Sequence, residues 1–367
     1  MASQLVAAMA RLHWPRSLLD IKFICEAGDS ATIAALAACR PGAECEVVIV
    51  PPLHPMTKPK ALQYALQGAR GSLVAVYDAE DVPHPAQLLE AHAAFALGGG
   101  RLACVQAPLA IANSGRNWIT TLFALEYAGL FRMLIPFLDR HNLPILLGGT
   151  SNHFRREALI EVGGWDPYNV TEDADLGMRL YRRGFRTKAI WRATVESAPQ
   201  TLAVWIRQRS RWYKGWTQTW LVLMRQPIRL ARELGPVGFI TFQLLLAGML
   251  VSAAIHPMLA LFLLASLYLS WQGAVPPGWD LHAGLFAIDL FNVTASYLVF
   301  LCLGWRGMAP AEKARIPIRG IFLLPAYWIA MSVAAWRAVI QLPFKPHLWE
   351  KTPHPAQGRR RPPHPAP

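Results

Sequence analysis

The uneven distribution of apolar residues restricts the possible folds of this chain more than any other feature. Hydrophobic residues make up 53% of its 367 residues, but the longest apolar segments follow Gly235-Pro236, beginning with the run from Val237 to Ser270. About 20 apolar residues are enough to cross the hydrocarbon core of a bilayer, so this run is too long for a single span. We therefore predict a soluble first part and a membrane-spanning second part.

Four membrane-spanning helices are predicted in the second part. The first apolar run contains His256-Pro257 near its middle, which favours two helices joined by a tight turn. The predicted spans are residues 237–255, 258–271, 284–304 and 320–341. They divide the chain into a soluble domain (1–200), an amphipathic interfacial segment (201–235), a transmembrane region (236–342) and a basic, proline-rich tail (343–367).

The net charge of +13 includes a cluster of arginines directly before the first apolar run. Arg225, Arg229 and Arg232 form this cluster, and such residues favour the cytosolic side of a membrane. We therefore expect a multi-pass protein of the inner, cytoplasmic membrane with its catalytic domain in the cytosol. With four spans, Arg306 and Arg315 lie on the side of the membrane opposite the cytosol, so the preference of basic residues for the cytosolic side does not decide the topology. No basic stripe belongs to a recognisable nucleic-acid fold, and nucleic acid is not an expected partner.

The soluble part alternates short β-branched runs with helical patterns. The predicted strands are residues 20–25, 45–50, 72–77 and 102–106, with helices at 30–39, 60–70 and 85–97. This alternation predicts a parallel α/β sheet, in which ligands bind beyond the carboxyl ends of the strands. The acidic motif Asp78-Ala79-Glu80-Asp81 directly follows the third predicted strand.

This acidic motif is suited to a hard divalent cation. Carboxylates crowded into a strand-end loop can ligate a cation that also binds two phosphate oxygens. Transfer of a sugar from a nucleotide sugar needs such a cation, because the leaving diphosphate has to be neutralised. The alternative is a solvated acidic turn, which the preceding strand and the following Val82-Pro83 disfavour.

Thr171-Glu172-Asp173 stands at the start of an amphipathic pattern that runs from Ala174 to Arg183. A helix start explains it structurally, with Thr171 as the cap and the two acids interacting with the helix dipole. In a transferase, Asp173 would instead be the general base that accepts the proton of an acceptor hydroxyl. The local sequence does not separate the two interpretations.

Gln208-Arg209-Ser210-Arg211-Trp212 places Gln208 and Arg211 on one face of a helix. An arginine fork binds a diphosphate, and a tryptophan face stacks on a sugar ring. The same segment also reads as an interfacial amphipathic helix with a tryptophan belt. The two interpretations are compatible.

In this order the three motifs resemble those of the membrane-embedded family-2 glycosyltransferases, the group that includes cellulose synthase and hyaluronan synthase. The resemblance extends over nearly all of residues 17–352. It implies a GT-A-like α/β domain, the fold of nucleotide-diphospho-sugar transferases, followed by a transmembrane α-helical region. The family also has a strand and membrane helices ahead of the segment seen here, so we expect the natural chain to begin upstream of Met1.

The resemblance also implies roles for individual residues. Asp173 is the expected catalytic base, and the expected ligands of Mg²⁺ or Mn²⁺ are Asp78, Glu80 and Asp81, with Glu80 where the family has a second aspartate. Either Glu26 or Asp29 is expected on the uracil of the donor. The full set implied to bind donor, diphosphate or acceptor is Glu26, Asp29, Lys58, Lys60, His153, Glu172, Gln208, Arg211 and Trp212.

The expected activity is inverting, metal-dependent transfer from a UDP-sugar, with UDP-glucose favoured, to a growing β-linked polysaccharide that export partner proteins help to move across the bilayer. An alternative is non-processive transfer to a lipid acceptor such as polyprenyl phosphate or diacylglycerol. A second alternative is an inactive nucleotide-sugar-binding membrane protein, which Glu80 and the late start would allow.

Overall fold

The computed structural model of the protein describes residues 1–273 and 279–346. The predicted basic tail lies outside the described residues from position 347 onward. The described chain consists of an α/β part followed by a set of long helices. Thr201 begins the helical part, since its hydroxyl accepts a hydrogen bond from the Val204 N–H and so caps the first long helix.

The α/β part alternates strands and helices along the chain, as the sequence predicts. The strands are β1 (Ile21–Glu26), β2 (Cys45–Val50), β3 (Leu73–Val76), β4 (Val82–Pro83), β5 (Leu102–Gln106), β6 (Leu109–Ile111), β7 (Asn152–Arg155), β8 (Arg186–Ala189) and β9 (Thr194–Glu196). The helices are α1 (Ala2–Ala10), α2 (Ser30–Ala38), α3 (Lys58–Leu66), α4 (Gln87–Gly98), α5 (Trp118–Gly129), α6 (Ile135–Arg140), α7 (Arg156–Glu161) and α8 (Glu172–Arg182).

The strands form three small sheets and not the single parallel sheet that was predicted. β1 and β2 pair in parallel, the second sheet has the order β3-β7-β5-β8, and the third has the order β4-β9-β6. β7, where no strand was predicted, lies antiparallel between β3 and β5. Its sequence, Asn-His-Phe-Arg, lacks the apolar run that predicts β1, β2, β3 and β5.

The core of the α/β part lies around β5 and α5. Every residue of β5 is buried, as expected for a strand that is covered on both faces. A capping box starts α5: the Asn117 side chain accepts the Thr120 N–H at 3.0 Å, and the Thr120 hydroxyl accepts the Asn117 N–H at 3.1 Å. A π-helical turn at Leu130–Leu134 then carries the chain into α6.

The long helices follow the α/β part. They are α9 (Leu202–Leu223), α10 (Pro227–Gln243), α11 (Met249–Trp271), α12 (Trp279–Gly307) and α15 (Leu324–Gln341), and two short helices, α13 (Pro310–Lys313) and α14 (Ile318–Ile321), lie between α12 and α15 in the chain. Gly235 has φ +69° inside α10 and kinks it at the predicted boundary between interfacial and apolar sequence.

Within the described residues, three helical segments are long and apolar enough to cross a membrane: Trp118–Arg140, Pro227–Trp271 and Leu281–Gly307. The first is 61% buried inside the protein over its apolar window, compared with 17% and 6% for the others. Trp118–Arg140 is therefore mainly a core helix, whereas the other two leave their apolar side chains exposed, as lipid-facing helices do.

The predicted turn at His256-Pro257 is absent, because α11 runs through Pro257 without a break. The predicted spans 237–255 and 258–271 are thus parts of one helical segment. Proline removes one backbone hydrogen bond, but a turn at this place would leave several backbone groups unpaired among apolar side chains. The predicted span 320–341 is divided between the end of α14 and α15.

Candidate active site

A cavity of about 1000 Å³ lies between the α/β part and the long helices. β1 ends at Glu26 and β3 is followed by Asp78, so two strand ends reach its polar side, as predicted. Its other side is apolar and includes Met249 of α11 and Phe300 of α12. The predicted site residues that line it are Glu26, Lys58, Asp78, Glu80, Glu172, Asp173, Gln208, Arg211 and Trp212.

Lys58 is a fixed cation among the acidic residues. Its Nζ donates to Asp78 Oδ1 and, at 2.5 Å, to the backbone carbonyl of Gly149. Burial lowers the pKa of Lys58, but the carboxylates of Asp78 and Glu172 outweigh burial and raise the pKa above its usual value. Lys58 therefore carries its charge at neutral pH.

Asp78 and Glu80 supply two carboxylates to the cavity. Within residues 1–273 and 279–346, no three His, Cys, Asp or Glu side chains are grouped closely enough to bind a metal ion by themselves. Mg²⁺ is commonly bound by one or two carboxylates together with substrate phosphates, and oxygen ligands also suit Mn²⁺. The two carboxylates therefore fit a cation that is shared with a diphosphate.

Asp81 does not line the cavity, and its predicted role as a metal ligand is corrected. Its side chain is fully buried, and Oδ2 accepts the Asp78 N–H at 2.9 Å and the Thr150 hydroxyl. Burial and the nearby Asp78 raise the pKa of Asp81. Asp81 therefore shapes the turn that presents Asp78, because its carboxylate is directed at the backbone of that turn.

Helix α8 begins at Glu172 and presents Asp173 to the cavity. Burial and the charge of Asp173 raise the pKa of Glu172 to about 7, and Lys58 opposes them. Burial also raises the pKa of Asp173, against a hydrogen bond from the Ala174 N–H and the charges of Lys58 and Arg211. A carboxylate with a raised pKa is a stronger proton acceptor once ionised, as a general base must be.

The i, i+3 pair on α9 faces the cavity as its spacing predicts. Gln208 lines the cavity, and its Oε1 is buried and makes no hydrogen bond within the described part of the chain. Trp212 stacks on Tyr127 with ring centroids 6.4 Å apart, and the Arg209 guanidinium lies 4.5 Å from the Trp212 ring. The face of Trp212 is therefore held in a fixed orientation.

Two glycines allow neighbouring backbone segments to pack closely against Thr171 and Asp173. A Cβ at Gly149 would lie 3.3 Å from Asp173 Oδ2, and a Cβ at Gly215 of α9 would overlap the Thr171 side chain. Thr171 does not cap α8 as predicted, since its backbone N–H and hydroxyl both donate to Asn169 Oδ1. Its side chain instead contacts α9, which explains why the space at Gly215 is needed.

Of the two acidic residues expected on the uracil, only Glu26 lines the cavity. Asp29 accepts the Thr32 N–H at 3.1 Å and caps α2. Lys60 lies behind the cavity wall, where its Nζ contacts Glu26 Oε2 at 2.9 Å and the carbonyl of Pro51 at 3.1 Å. Lys60 therefore orients Glu26.

His153 lies in the core of the sheet and not at the cavity, which corrects its predicted binding role. It sits on β7, is 3% exposed, and its ring nitrogens lie 3.1 Å from the Tyr77 hydroxyl and 3.3 Å from the Val105 carbonyl. Burial lowers the pKa of His153 to about 4, so the ring is neutral at neutral pH.

Glu196 lines the cavity and was missed in the sequence. It ends β9, and burial together with the charges of Asp81, Asp78 and Glu80 raises the pKa of Glu196 well above its usual value. Its strand is only Thr194–Glu196, too short for a periodic pattern. No local signal distinguishes it from a surface glutamate.

The profile of a protein family described as "Glycosyl transferase family group 2" matches residues 73–336, most of the chain. The chain belongs to this family. The match includes the acidic strand end, the start of α8 and the α9 motif, and it confirms the family resemblance that these motifs predict.

Curated relatives of this family 2 protein include membrane-lipid and polysaccharide enzymes. Probable glycosyltransferase YdaM of Bacillus subtilis is 26% identical over 69% of this chain and 61% of its own length. Beta-monoglucosyldiacylglycerol synthase of Synechocystis is 29% identical over 52% of this chain and 40% of its own. The cellulose synthase catalytic subunit [UDP-forming] of Xanthomonas axonopodis is 32% identical over 42% of this chain and 22% of its own. The chain thus spans less than two thirds of the length of these relatives.

The fold is shared with a solved mannosyltransferase, PcManGT of Pyrobaculum calidifontis. Its structure, a complex with GDP-Man and Mn²⁺, superposes with a TM-score of 0.53 at 16% identity and covers 94% of this chain and 83% of that chain. The predicted fold class, a GT-A-like domain followed by candidate membrane helices, is confirmed.

Proposed function

We propose that this family 2 protein transfers a sugar, with inversion, from a UDP-sugar to a lipid acceptor at the membrane surface. The observation that carries the proposal is the cavity, because one continuous space joins Asp173 to the apolar residues of the long helices. UDP-glucose is the proposed donor, and a relative whose name includes UDP-forming supports a uridine nucleotide. The proposed site is the inner membrane, with the α/β part in the cytosol.

The proposed reaction is a single displacement with Asp173 as the base. Asp173 takes the proton of an acceptor hydroxyl, whose oxygen forms a bond to the anomeric carbon while the bond from that carbon to the diphosphate oxygen breaks. Lys58 and Arg211, both at the cavity, stabilise the negative charge of the leaving diphosphate. Asp78 and Glu80 would hold Mg²⁺ or Mn²⁺, which adds Lewis-acid stabilisation of that charge when bound.

The shape of the cavity supports a lipid acceptor over a polymer. Beyond the carboxylates, its wall is formed by apolar side chains of the π-helical turn, α6, α11 and α12, among them Leu134, Leu138, Met249 and Leu303. Such a wall suits an acyl or polyprenyl chain, and it contains few groups that hydrogen-bond to sugars. A relative named beta-monoglucosyldiacylglycerol synthase agrees with this proposal.

A growing β-linked polysaccharide is the second candidate acceptor. It is favoured by aromatic side chains that line the same cavity as Asp173, since Phe123, Tyr127 and Trp212 offer stacking faces to sugar rings. Export of such a polymer would require partner proteins or further membrane helices.

The product formed in reconstituted membranes tests the proposal. Vesicles containing the full chain, a divalent cation and radiolabelled UDP-glucose should form a labelled product that is extracted into organic solvent. A labelled product that stays in the aqueous phase and elutes in the void volume of a size-exclusion column would support the polymer instead. No product with any UDP-sugar or acceptor would support an inactive nucleotide-sugar-binding protein.

Removal of the cation is the matching control. A chelator such as EDTA should abolish labelling, and added Mg²⁺ or Mn²⁺ should restore it. In the Asp78→Ala variant, a higher concentration of Mg²⁺ or Mn²⁺ should be needed to restore labelling, because one of the two protein ligands is lost. Unchanged labelling in excess EDTA would contradict the metal assignment without affecting the assignment of the base.

A further inference from the structure

A second, basic pocket lies away from the active site, between the end of α8 and the start of α10. Its volume is about 410 Å³, and it is lined by Val162, Arg179, Arg182, Arg183, Arg229 and Glu233. None of these residues lines the active-site cavity. Four guanidinium groups are therefore gathered in a space large enough for a small polar headgroup.

The ion pairs inside the pocket leave it with excess positive charge. Arg182 and Arg229 share Glu233, at 2.6 Å and 2.8 Å, and Arg179 pairs with Asp175 at 2.7 Å. Two carboxylates thus face four arginines. Arg183 is exposed, and within the described residues its guanidinium forms no ion pair.

Arg179 carries an unused donor. Its Nε and Nη1 are bonded to Asp175 and to the Val162 carbonyl, but Nη2 is buried and has no hydrogen-bond partner among the described residues. A buried N–H without a partner is unfavourable, and an oxyanion in the pocket would satisfy it. Guanidinium groups match phosphate oxygens in geometry as well as in charge.

The position of the pocket identifies the source of that phosphate. Arg229 and Glu233 lie on α10 just before the kink at Gly235, within the first two turns of the candidate span Pro227–Trp271. The pocket is therefore at the level where an apolar helix leaves the bilayer, and basic pockets at that level bind anionic headgroups. We propose that it binds the phosphate headgroup of an anionic phospholipid, independently of the acceptor used at the active site.

Lipid retention by the full chain tests this proposal. The protein is reconstituted in vesicles of phosphatidylcholine mixed with phosphatidylglycerol, extracted gently, and analysed by native mass spectrometry for bound lipid. Phosphatidylglycerol should be retained in preference to phosphatidylcholine. Arg183→Gln/Arg229→Gln should weaken the apparent affinity for phosphatidylglycerol by about 25-fold, at about a fivefold loss for each charge.

The control is a charge-matched pair outside the pocket, Arg11→Gln/Arg40→Gln, both at exposed positions. It should leave lipid retention unchanged. Glu233→Gln should act in the opposite direction, because it releases Arg182 and Arg229 for the headgroup. Equal loss of phosphatidylglycerol in both arginine pairs, or no loss in either, would overturn the proposal.

Two further measurements separate a lipid from a soluble phosphate and from misfolding. Glycerol phosphate without acyl chains should displace bound phosphatidylglycerol only weakly; displacement at equal concentration would identify a soluble phosphate as the ligand and overturn the lipid assignment. The thermal unfolding temperature of Arg183→Gln/Arg229→Gln should match the wild type, since Arg183 is exposed and the Arg229 side chain is 67% exposed.

Discussion

Glu172 and Asp173 place two carboxylates in one buried environment, and this has a consequence for stability. The pKa of Glu172 is raised to about 7 from an ordinary value of 4.5, so the folded state binds its proton more tightly than the unfolded chain does. The stabilising contribution of protonated Glu172 to the folded state is complete below about pH 4.5 and is lost as the pH rises through about 7.

Glu172→Gln should therefore stabilise the protein at pH 8 by up to about 3 kcal/mol and should have little effect at pH 4.5. Chemical unfolding in detergent at both pH values measures the difference. Glu161→Gln, at an exposed position of α7, is the control and should be neutral at both. An equal gain for Glu172→Gln at both pH values would mean that ionisation of Glu172 in its buried site is not the cause of the gain.

Asp173→Asn should lower kcat by about 10²- to 10⁴-fold and leave the KM for the donor nearly unchanged, because the amide keeps the shape of the carboxylate but accepts no proton. In the wild type, kcat/KM should fall as the pH decreases through an apparent pKa above that of an ordinary aspartate, since the pKa of Asp173 is raised. The assay is UDP release, and Asp166→Asn in an exposed loop is the control. Full turnover by Asp173→Asn would remove it as the base.

At the scale of single helices, we expect substitutions of glycines at helix contacts to have the largest effects on stability and activity. A Cβ at Gly215 would overlap Thr171, so Gly215→Ala should push α9 away from the start of α8. Overpacking of this kind costs roughly 1–3 kcal/mol, and we expect kcat to fall with it because Arg211 and Asp173 would separate. Thermal unfolding and UDP release measure the two effects.

Gly284→Ala is the matched control for that substitution. Gly284 also lies within a helix, but a Cβ there meets nothing within 4 Å, so alanine should be neutral or stabilising by up to about 1 kcal/mol. If the two glycine variants behave alike, general helix propensity and not the contact with Thr171 explains the result.

Elements with a strong periodic signal were predictable, and side-chain direction was not. The runs that became β1, β2, β3 and β5 were recognised from their β-branched residues. The family resemblance implied a site role for Asp81 and His153, but both side chains are buried. Neighbouring residues in a turn or strand point to opposite sides, and a motif does not show which side is the cavity.

Contacts between distant elements also lie beyond the sequence. Glu196 reaches the cavity through the pairing of β9 with β6, and the local sequence of a three-residue strand contains no sign of that pairing. Pro257 was read as a turn because proline breaks helices in water, whereas among apolar residues the helix is the better way to pair the backbone. The three ordered motifs were recognisable since each is a local string.

At the scale of the whole molecule, one buried cluster joins the α/β part to the long helices. Arg209 of α9 forms a bidentate ion pair with Glu126 of α5, and the Tyr327 hydroxyl of α15 donates to Glu126 Oε2 at 2.5 Å. The Arg209 guanidinium also lies over the rings of Phe123 and Trp205. Arg209 is adjacent to the Gln208 that faces the cavity, so this cluster fixes the catalytic helix against two neighbours.

Glu126→Ala should destabilise the protein by about 3–5 kcal/mol, because it leaves the Arg209 charge buried without a partner. The Arg209 side chain is only 2% exposed. Arg209→Met/Glu126→Leu/Tyr327→Phe removes all the polar groups together and should recover most of that loss, since apolar residues of similar volume replace a buried ion pair at little cost. Thermal unfolding in detergent compares the two variants.

UDP release by the triple variant then shows whether the ion pair also positions the catalytic residues. If the ion pair fixes the register of α9, the triple variant regains its unfolding temperature but not its kcat. Recovery of both would show that packing alone positions Gln208 and Arg211.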